Sequence, residues 1–199
     1  MPRPRLESRE KLLPNAMMLF WKNGYHATSI DDLVKATAVA RGGIYADFGG
    51  KAEMFEACLD LYRQEVAAPA IAILNSEHAG LDAIEGYFYH FIDMHRRHGL
   101  PGPGCFIANS MTEIAPHEDA IRTAVNAHSK DLHAAFLGAL SHAGSRSNAN
   151  LSQATLNELA LFLVTSSQGL WSYARSVTDI SLLESYVRSL MGLLHSRFS

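Results

Sequence analysis

Residues 28–51 read TSIDDLVKATAVARGGIYADFGGK. Ser29 can cap a helix, and Asp32 stands three residues on, where a capping box needs an acceptor. Glu or Gln is usual there, so the shorter carboxylate predicts a weakened box. Ile30, Leu33 and Val34 follow at i, i+3 and i+4, one apolar face of a short helix. A turn is expected at Thr37, Ala38 and Val39. A second short helix then runs from about Ala40 to Ala46, turning Ile44 and Phe48 inward and leaving Arg41, Gly42, Gly43 and Tyr45 outside. Two short helices joined by such a turn form a helix-turn-helix, whose second helix enters the DNA major groove.

The outward residues suit that task. Phosphate contacts set affinity and register, and base-edge contacts set sequence. Arg41 can meet a guanine edge bidentately or a phosphate. Gly42 and Gly43 let the backbone come close, with amides near a helix start that favour phosphate. Tyr45, Thr28 and Ser29 carry hydroxyls for phosphate oxygens, and Lys51 adds a point charge. The net charge of −3 alone argues against a nucleic-acid binder. Its distribution argues the other way: residues 1–51 hold eight Lys/Arg and five Asp/Glu, a balance of +3, which leaves −6 on the remainder. Residues 1–5 (MPRPR) are expected to form a basic arm.

Leu19-Phe20, Gly24-Tyr25, Thr28-Ser29-Ile30, the segment 39–45, Phe48 and Lys51 resemble the N-terminal signature of the TetR family of bacterial transcriptional regulators, over roughly residues 6–58. The resemblance implies that Thr28, Ser29, Val39, Ala40, Arg41, Gly42, Gly43, Tyr45 and Lys51 lie at the DNA. It also implies a homodimer built through the last two helices. Three residues depart from the family pattern. Ala38 replaces the usual turn glycine, so a tighter or differently set turn is expected. Ala46 and Asp47 stand where relatives commonly carry Tyr, His or Asn, and Asp47 would repel a phosphate it faced.

The rest of the chain reads as helices and carries no strand pattern or internal repeat, so the expected class is all-α. A first helix ends at Asn23 before Gly24, with Leu13, Met17 and Phe20 on one face; Pro14 predicts a late start near Leu13 or a kink. A fourth helix runs from about Lys51 to Asn75, with Pro69 expected to bend or end it. Further helices are expected at 81–98 (Ile84, Phe88, Phe91 and His95 on one face), from Cys105 to before Pro116, at 117–143, at 152–177 and at 180–197, about nine in all. The polar segment 144–150 reads as a loop. The domain boundary is placed inside the fourth helix: residues 1–51 as the helix-turn-helix DNA-binding domain, 52–199 as a ligand-binding and dimerisation domain. The last two helices carry apolar residues off their main stripes, such as Phe162, Val164, Leu182 and Leu193, which asks for a second neighbour.

In the larger domain Phe88, Phe91, His95, Cys105, Asn109, His128, Gln168 and Trp171 are candidates to line a pocket for a small, largely apolar effector, since pockets between helices pair apolar walls with a few polar groups. Cys105 stands at a predicted helix start, which would lower its thiol pKa. The segment GCFIANS is similar to one in a TetR subgroup that includes sensors of reactive electrophiles. Ten histidines raise the question of a metal, but no Cys-x-x-Cys or His-Glu-x-x-His is present. With no Gly-x-Ser-x-Gly and no phosphate-cradling loop, no metal and no cofactor is expected. Two cysteines and no apolar run of about 18 residues predict a reduced, cytoplasmic protein without a membrane span. The sequence thus predicts a ligand-responsive DNA-binding regulator, most simply a repressor on a palindromic operator. The competing readings are a small helical thiol-dependent enzyme and a helical interaction module with a non-functional head.

Overall fold

In the computed structural model, residues 5–76, 79–147 and 149–199 are described, with side chains from Leu12 onward, and all their regular structure is helical. The elements are α1 (Arg5–Asn23), α2 (Ile30–Thr37), α3 (Arg41–Phe48), α4 (Lys51–Tyr62), a π-helical turn (Arg63–Ala67), α5 (Ala68–Leu74), α6 (Leu81–His98), α7 (Phe106–Glu113), α8 (Asp119–Arg146), α9 (Gln153–Tyr173) and α10 (Ile180–Phe198). With α4 and α5 counted as the one helix expected there, the described residues hold the nine expected helices. The expected basic arm lies outside the described residues, apart from Arg5, which opens α1. The chain packs as two compact units: one up to Val66 together with Cys105–Val125, the other Ala67–Gly104 together with Asn126–Ser199.

The first unit is built on aromatic contacts. Phe55 of α4 meets Phe20 of α1 edge-on at 5.1 Å, Tyr25 at 5.2 Å and Phe106 of α7 at 5.1 Å between ring centroids. Tyr62, one side of whose ring meets Trp21 at 5.0 Å, reaches Phe106 at 5.8 Å. Among the described side chains, α1 buries Leu12, Ala16, Met17, Phe20 and Trp21, while Leu13 is half-buried. Helix α1 also runs through Pro14 instead of starting there. Leu33 of α2 and Ile44 of α3 are each fully buried and seat the two short helices.

Asp32 completes its capping box despite its short side chain. The Asp32 amide donates to Ser29 Oγ at 3.1 Å, and the Ser29 amide donates to Asp32 Oδ2 at 3.0 Å. The Ser29 hydroxyl also donates to Asp32 Oδ2 at 2.6 Å, and these bonds, the hydroxyl's first, hold the carboxyl below its usual pKa. A lowered carboxylate pKa contributes stability above the ordinary value near ~4 and loses it as pH falls through the folded value. The turn is set by Ala38, which takes the left-handed conformation at φ 55°, ψ 24°. The missing glycine therefore does not reset the turn: alanine adopts the conformation a glycine would, at a steric cost.

In the second unit α6 buries Ile84, Phe88, Phe91 and His95, the face expected, and adds Tyr87 and Ile92. Helix α9 buries Leu156, Leu163, Val164, Leu170 and Trp171, so Val164 serves the chain's own core rather than a second neighbour. Helix α10 buries Leu183, Val187, Leu190 and Leu194. Helix α8 continues to Arg146, which shortens the expected 144–150 loop, and α9 stops at Tyr173, short of Val177. Pro69 lies in the first turn of α5, directly after the π-helical turn. A proline ring clashes with the carbonyl four residues back and offers no N–H, and a widened turn is one way a helix absorbs that.

Replacing Ala38 by Gly relieves the left-handed strain. The variant is expected to be more stable by about 0.5–1 kcal/mol in urea unfolding, the gain being limited by the freer unfolded glycine; an unchanged or lower midpoint would mean the turn is not strained.

Candidate nucleic-acid interface

Ile44 holds α3 by its inner face, and the residues around it are turned out. Arg41, Gly42 and Ala46 are exposed, and Tyr45 is 48% exposed. Ala40 is the N-cap of α3 in extended conformation, with no side-chain cap bond, and Val39 packs against Gly43, where a Cβ would come 2.8 Å from Val39 Cγ1. Gly43 is thus required by close packing, whereas a Cβ at Gly42 would meet nothing within 4 Å. Gly42 leaves the surface of α3 open for a close approach. The Gly43 amide bonds the Ala40 carbonyl at 2.8 Å. Asp47 and Phe48 are half-buried.

Two predicted contact residues turn out to have partners. Arg41 Nη2 donates to Asp31 Oδ1 at 2.7 Å with both side chains exposed, and this bond raises the guanidinium pKa. Lys51 Nζ sits 4.1 Å from the centroid of the Tyr25 ring, and burial lowers its pKa. Thr28 requires a correction: it is fully buried, and its hydroxyl donates to the Gly24 carbonyl at 2.6 Å, so it is spent inside the unit. Ser29 remains exposed, its hydroxyl engaged by Asp32.

Sequence reasoning missed the anchor below this surface. Glu113 at the end of α7 accepts the His26 amide on Oε1 at 2.8 Å. Gly24, at φ 88°, leaves room for the same carboxylate, since a Cβ would stand 2.7 Å from Glu113 Oε2. Asp31 was counted in the charge balance, but its pairing with a residue ten positions on depends on how α2 crosses α3.

The candidate ligand residues divide between the units. Phe88, Phe91, His95, His128, Gln168 and Trp171 belong to the second, Cys105 and Asn109 to the first. Trp171 gathers Phe91 at 4.9 Å, Phe88 at 6.1 Å and His95 at 6.2 Å between ring centroids. His128 and Asn109 are buried. Cys105 is the N-cap of α7, as expected, but the expected lowering of its pKa is overturned. Burial raises the thiol pKa and outweighs the opposing bonds from Tyr62 and from the Ala108 and Ile107 backbone. A helix start stabilises a thiolate only where water or charge completes its solvation. Cys58, the other free thiol, is also buried and raised. Among the described residues no cluster of three or more His, Cys, Asp or Glu is placed to hold a metal, and no helix is long and apolar enough to cross a membrane.

A short helix with an exposed cation and tyrosine, seated by one buried isoleucine behind a capped partner helix, defines a helix-turn-helix DNA-binding regulator. Residues 12–58 match the family described as bacterial regulatory proteins, tetR family, and residues 80–190 match the tetracyclin repressor-like C-terminal domain. The chain belongs to the TetR family, and its function is that of a DNA-binding transcriptional regulator.

The HTH-type transcriptional repressor ComR of Escherichia coli (strain K12) is 37% identical over 115 residues, which span 57% of this chain and only 54% of that protein. The HTH-type transcriptional regulator YezE of Bacillus subtilis (strain 168) is 26% identical over 183 residues, 92% of this chain and 94% of that protein. Among solved structures, a TetR-family regulator from Agrobacterium tumefaciens superposes with a TM-score of 0.83 at 18% identity, covering 98% of this chain and 100% of that one. A cysteine mutant of the TetR-family regulator CifR, solved with 26-base-pair operator DNA, gives 0.79 at 22% identity, covering 92% and 95%. These structural likenesses establish the fold.

Asp31→Asn removes the negative charge that pairs with Arg41 and leaves a neutral acceptor in its place. Affinity for duplex DNA of any sequence is expected to rise about three- to tenfold at low salt, with the gain shrinking as salt is added; an unchanged affinity in anisotropy titrations would show that the ion pair does not restrain Arg41. Iodoacetamide at pH 8 is expected to modify Cys105 at least about a hundredfold more slowly in the native protein than in urea, because the reactive thiolate is suppressed by burial; equal rates by mass spectrometry would contradict that.

Proposed function

We propose that the protein is a homodimeric repressor that leaves a palindromic operator when a small, largely apolar effector binds. On this reading residues 1–51 carry DNA binding, and residues 52–199 carry effector binding and dimerisation. The observation that carries the proposal is the exposure of Arg41 and Tyr45 on α3 beside buried Ile44: neither outer side chain serves a core. Arg41 is the base-reading residue and Tyr45 a phosphate contact. Ser29, Val39, Ala40, Gly42 and Gly43 line the approach, and Lys51 adds charge. The operator in the CifR structure and the repressor name of ComR support the same reading.

The last two helices are the dimer surface. Six of the eight exposed large apolar side chains among the described residues lie there: Leu161, Phe162 and Tyr173 on α9, and Leu182, Tyr186 and Leu193 on α10. Phe162, Tyr173 and Tyr186 line one groove together with Gly169. A surface this rich in apolar groups is unusual for a monomer, and a two-fold dimer brings two heads to half-sites about 34–36 Å apart. The effector acts by population shift, so it must bind the conformation with the wrong head spacing better than the competent one.

Arg41→Ala and Tyr45→Ala are each expected to weaken binding to the upstream DNA of the protein's own gene by about ten- to a hundredfold, a contact's worth of roughly 1–3 kcal/mol, while helical content and dimer mass stay unchanged. Unaltered binding in anisotropy titrations would remove α3 as the reading helix. Leu161→Glu combined with Leu193→Glu is expected to give a folded monomer by sedimentation that loses operator affinity; a persisting dimer would place the interface elsewhere.

A further inference from the structure

We propose that His95, Gln168 and Trp171 form the polar edge of the effector site, and that the site takes a neutral aromatic molecule whose polar group both donates and accepts a hydrogen bond, a phenolic hydroxyl being the simplest. The proposal rests on the effector reading above and gives that effector a chemical class.

Three buried polar atoms in the second unit have no hydrogen-bond partner among the described residues: His95 Nε2, Gln168 Oε1 and Trp171 Nε1. His95 and Trp171 are each only 2% exposed. Buried polar atoms in folded proteins are nearly always paired, because an unpaired one carries its full desolvation cost. One such atom is a local accident; two on rings in contact, with a third three residues away on the same helix, form a pattern. Gln168 and Trp171 stand one turn apart on the same face of α9, and the Trp171 ring lies 6.2 Å from that of His95 on α6.

The segment between α6 and α7 holds the histidine in place. A Cβ at Gly102 would stand 2.7 Å from His95 Cε1, so the bare glycine backbone lies against the Nδ1–Cε1 edge of the ring. The Gly102 amide donates to the Ala174 carbonyl at 3.2 Å, which ties the segment to the end of α9. Gly104 takes φ 70°, and a Cβ there would come 2.7 Å from the Trp171 carbonyl. The two glycines of the Pro-Gly-Pro-Gly run thus allow this close approach and fix the ring that carries Nε2.

The chemistry of the edge selects the ligand. Trp171 Nε1 donates only and Gln168 Oε1 accepts only, so the ligand needs an acceptor and a donor; His95 Nε2 takes either role by tautomer. Phe88 and Phe91, packed around Trp171, supply flat apolar walls. The buried polar side chains among the described residues are Thr, His, Asn and Ser only, with no Asp, Glu, Lys or Arg. No buried side chain among the described residues would therefore offer an ionic ligand a countercharge. Burial and the neighbouring His98 also lower the His95 pKa, which favours the neutral ring.

Calorimetric titration of the full chain with phenol, toluene and benzoate tests this. Phenol is expected to bind at least about tenfold tighter than either of the others, the worth of one buried hydrogen bond. Trp171→Phe keeps a ring and deletes the donor, so phenol should weaken about tenfold while toluene is unaffected. Gln168→Leu should also weaken phenol, yet raise the thermal midpoint of the free protein by removing an unpaired carbonyl, which guards against misfolding as the cause. Absence of phenol binding, equal binding of phenol and toluene, preference for benzoate, or unchanged phenol affinity in both variants would each overturn the site. Operator release is measured separately. Phenol bound with this signature on an operator complex that stays intact supports the site and removes its effector role. Release by an ionic or wholly apolar compound, unaffected by both variants, preserves the effector role and overturns the site.

Discussion

The ring of Phe55 is the contact on which the DNA-reading surface depends. It touches Phe20 from α1, Tyr25 from the turn after α1 and Phe106 from α7. Edge-to-face aromatic contacts fix direction as well as distance. Tyr25, held by Phe55, carries Lys51 over its ring, and Glu113 on α7 holds the His26 amide. Two helices of eight residues would not persist alone in water, since a helix that short scarcely outlasts its own nucleation cost. What makes them permanent is packing within the unit, where Leu33 and Ile44 are fully buried.

Within that packing the head is finely balanced. Asp32 secures the start of α2 through both halves of a capping box, and Ala38 accepts a left-handed conformation to turn the chain into α3. Asp31 occupies Arg41 in the free protein. An exposed ion pair contributes little to stability. If Arg41 meets DNA as proposed, a duplex must displace Asp31 to reach it.

The helical order, the head and the buried face of α6 were legible because each rests on local rules: caps, breakers and a 3.6-residue period. The residues that went astray are those whose role is set by a distant neighbour. Thr28 reads as a surface hydroxyl until the Gly24 carbonyl claims it. Asp31 reads as one more acid until α2 crosses α3. Cys105 was placed correctly at a helix start, but sequence cannot say that the start is buried, and desolvation then reverses the sign of the thiol shift. Pro69 announced a disturbance without its form, a π-helical turn placed before it. His95, Gln168 and Trp171 were each named, yet their shared lack of partners is a property of packing.

That shared lack bears on how far an effector can move the protein. Carrying a two-state equilibrium from 1:99 to 99:1 takes a differential affinity of about 10⁴, or about 5.5 kcal/mol. A small neutral ligand can draw on hydrogen bonds to groups such as Trp171 and Gln168, each worth about 1 kcal/mol net and more where an unpaired buried group is satisfied. Only the part of that energy absent from the DNA-competent conformation counts. A ligand that satisfied the same three atoms equally in both conformations would bind well and signal nothing. For a compact neutral effector to act as a switch, two conditions follow: the polar edge must change between conformations, and the unliganded equilibrium must lie close enough to balance for a few such bonds to tip it.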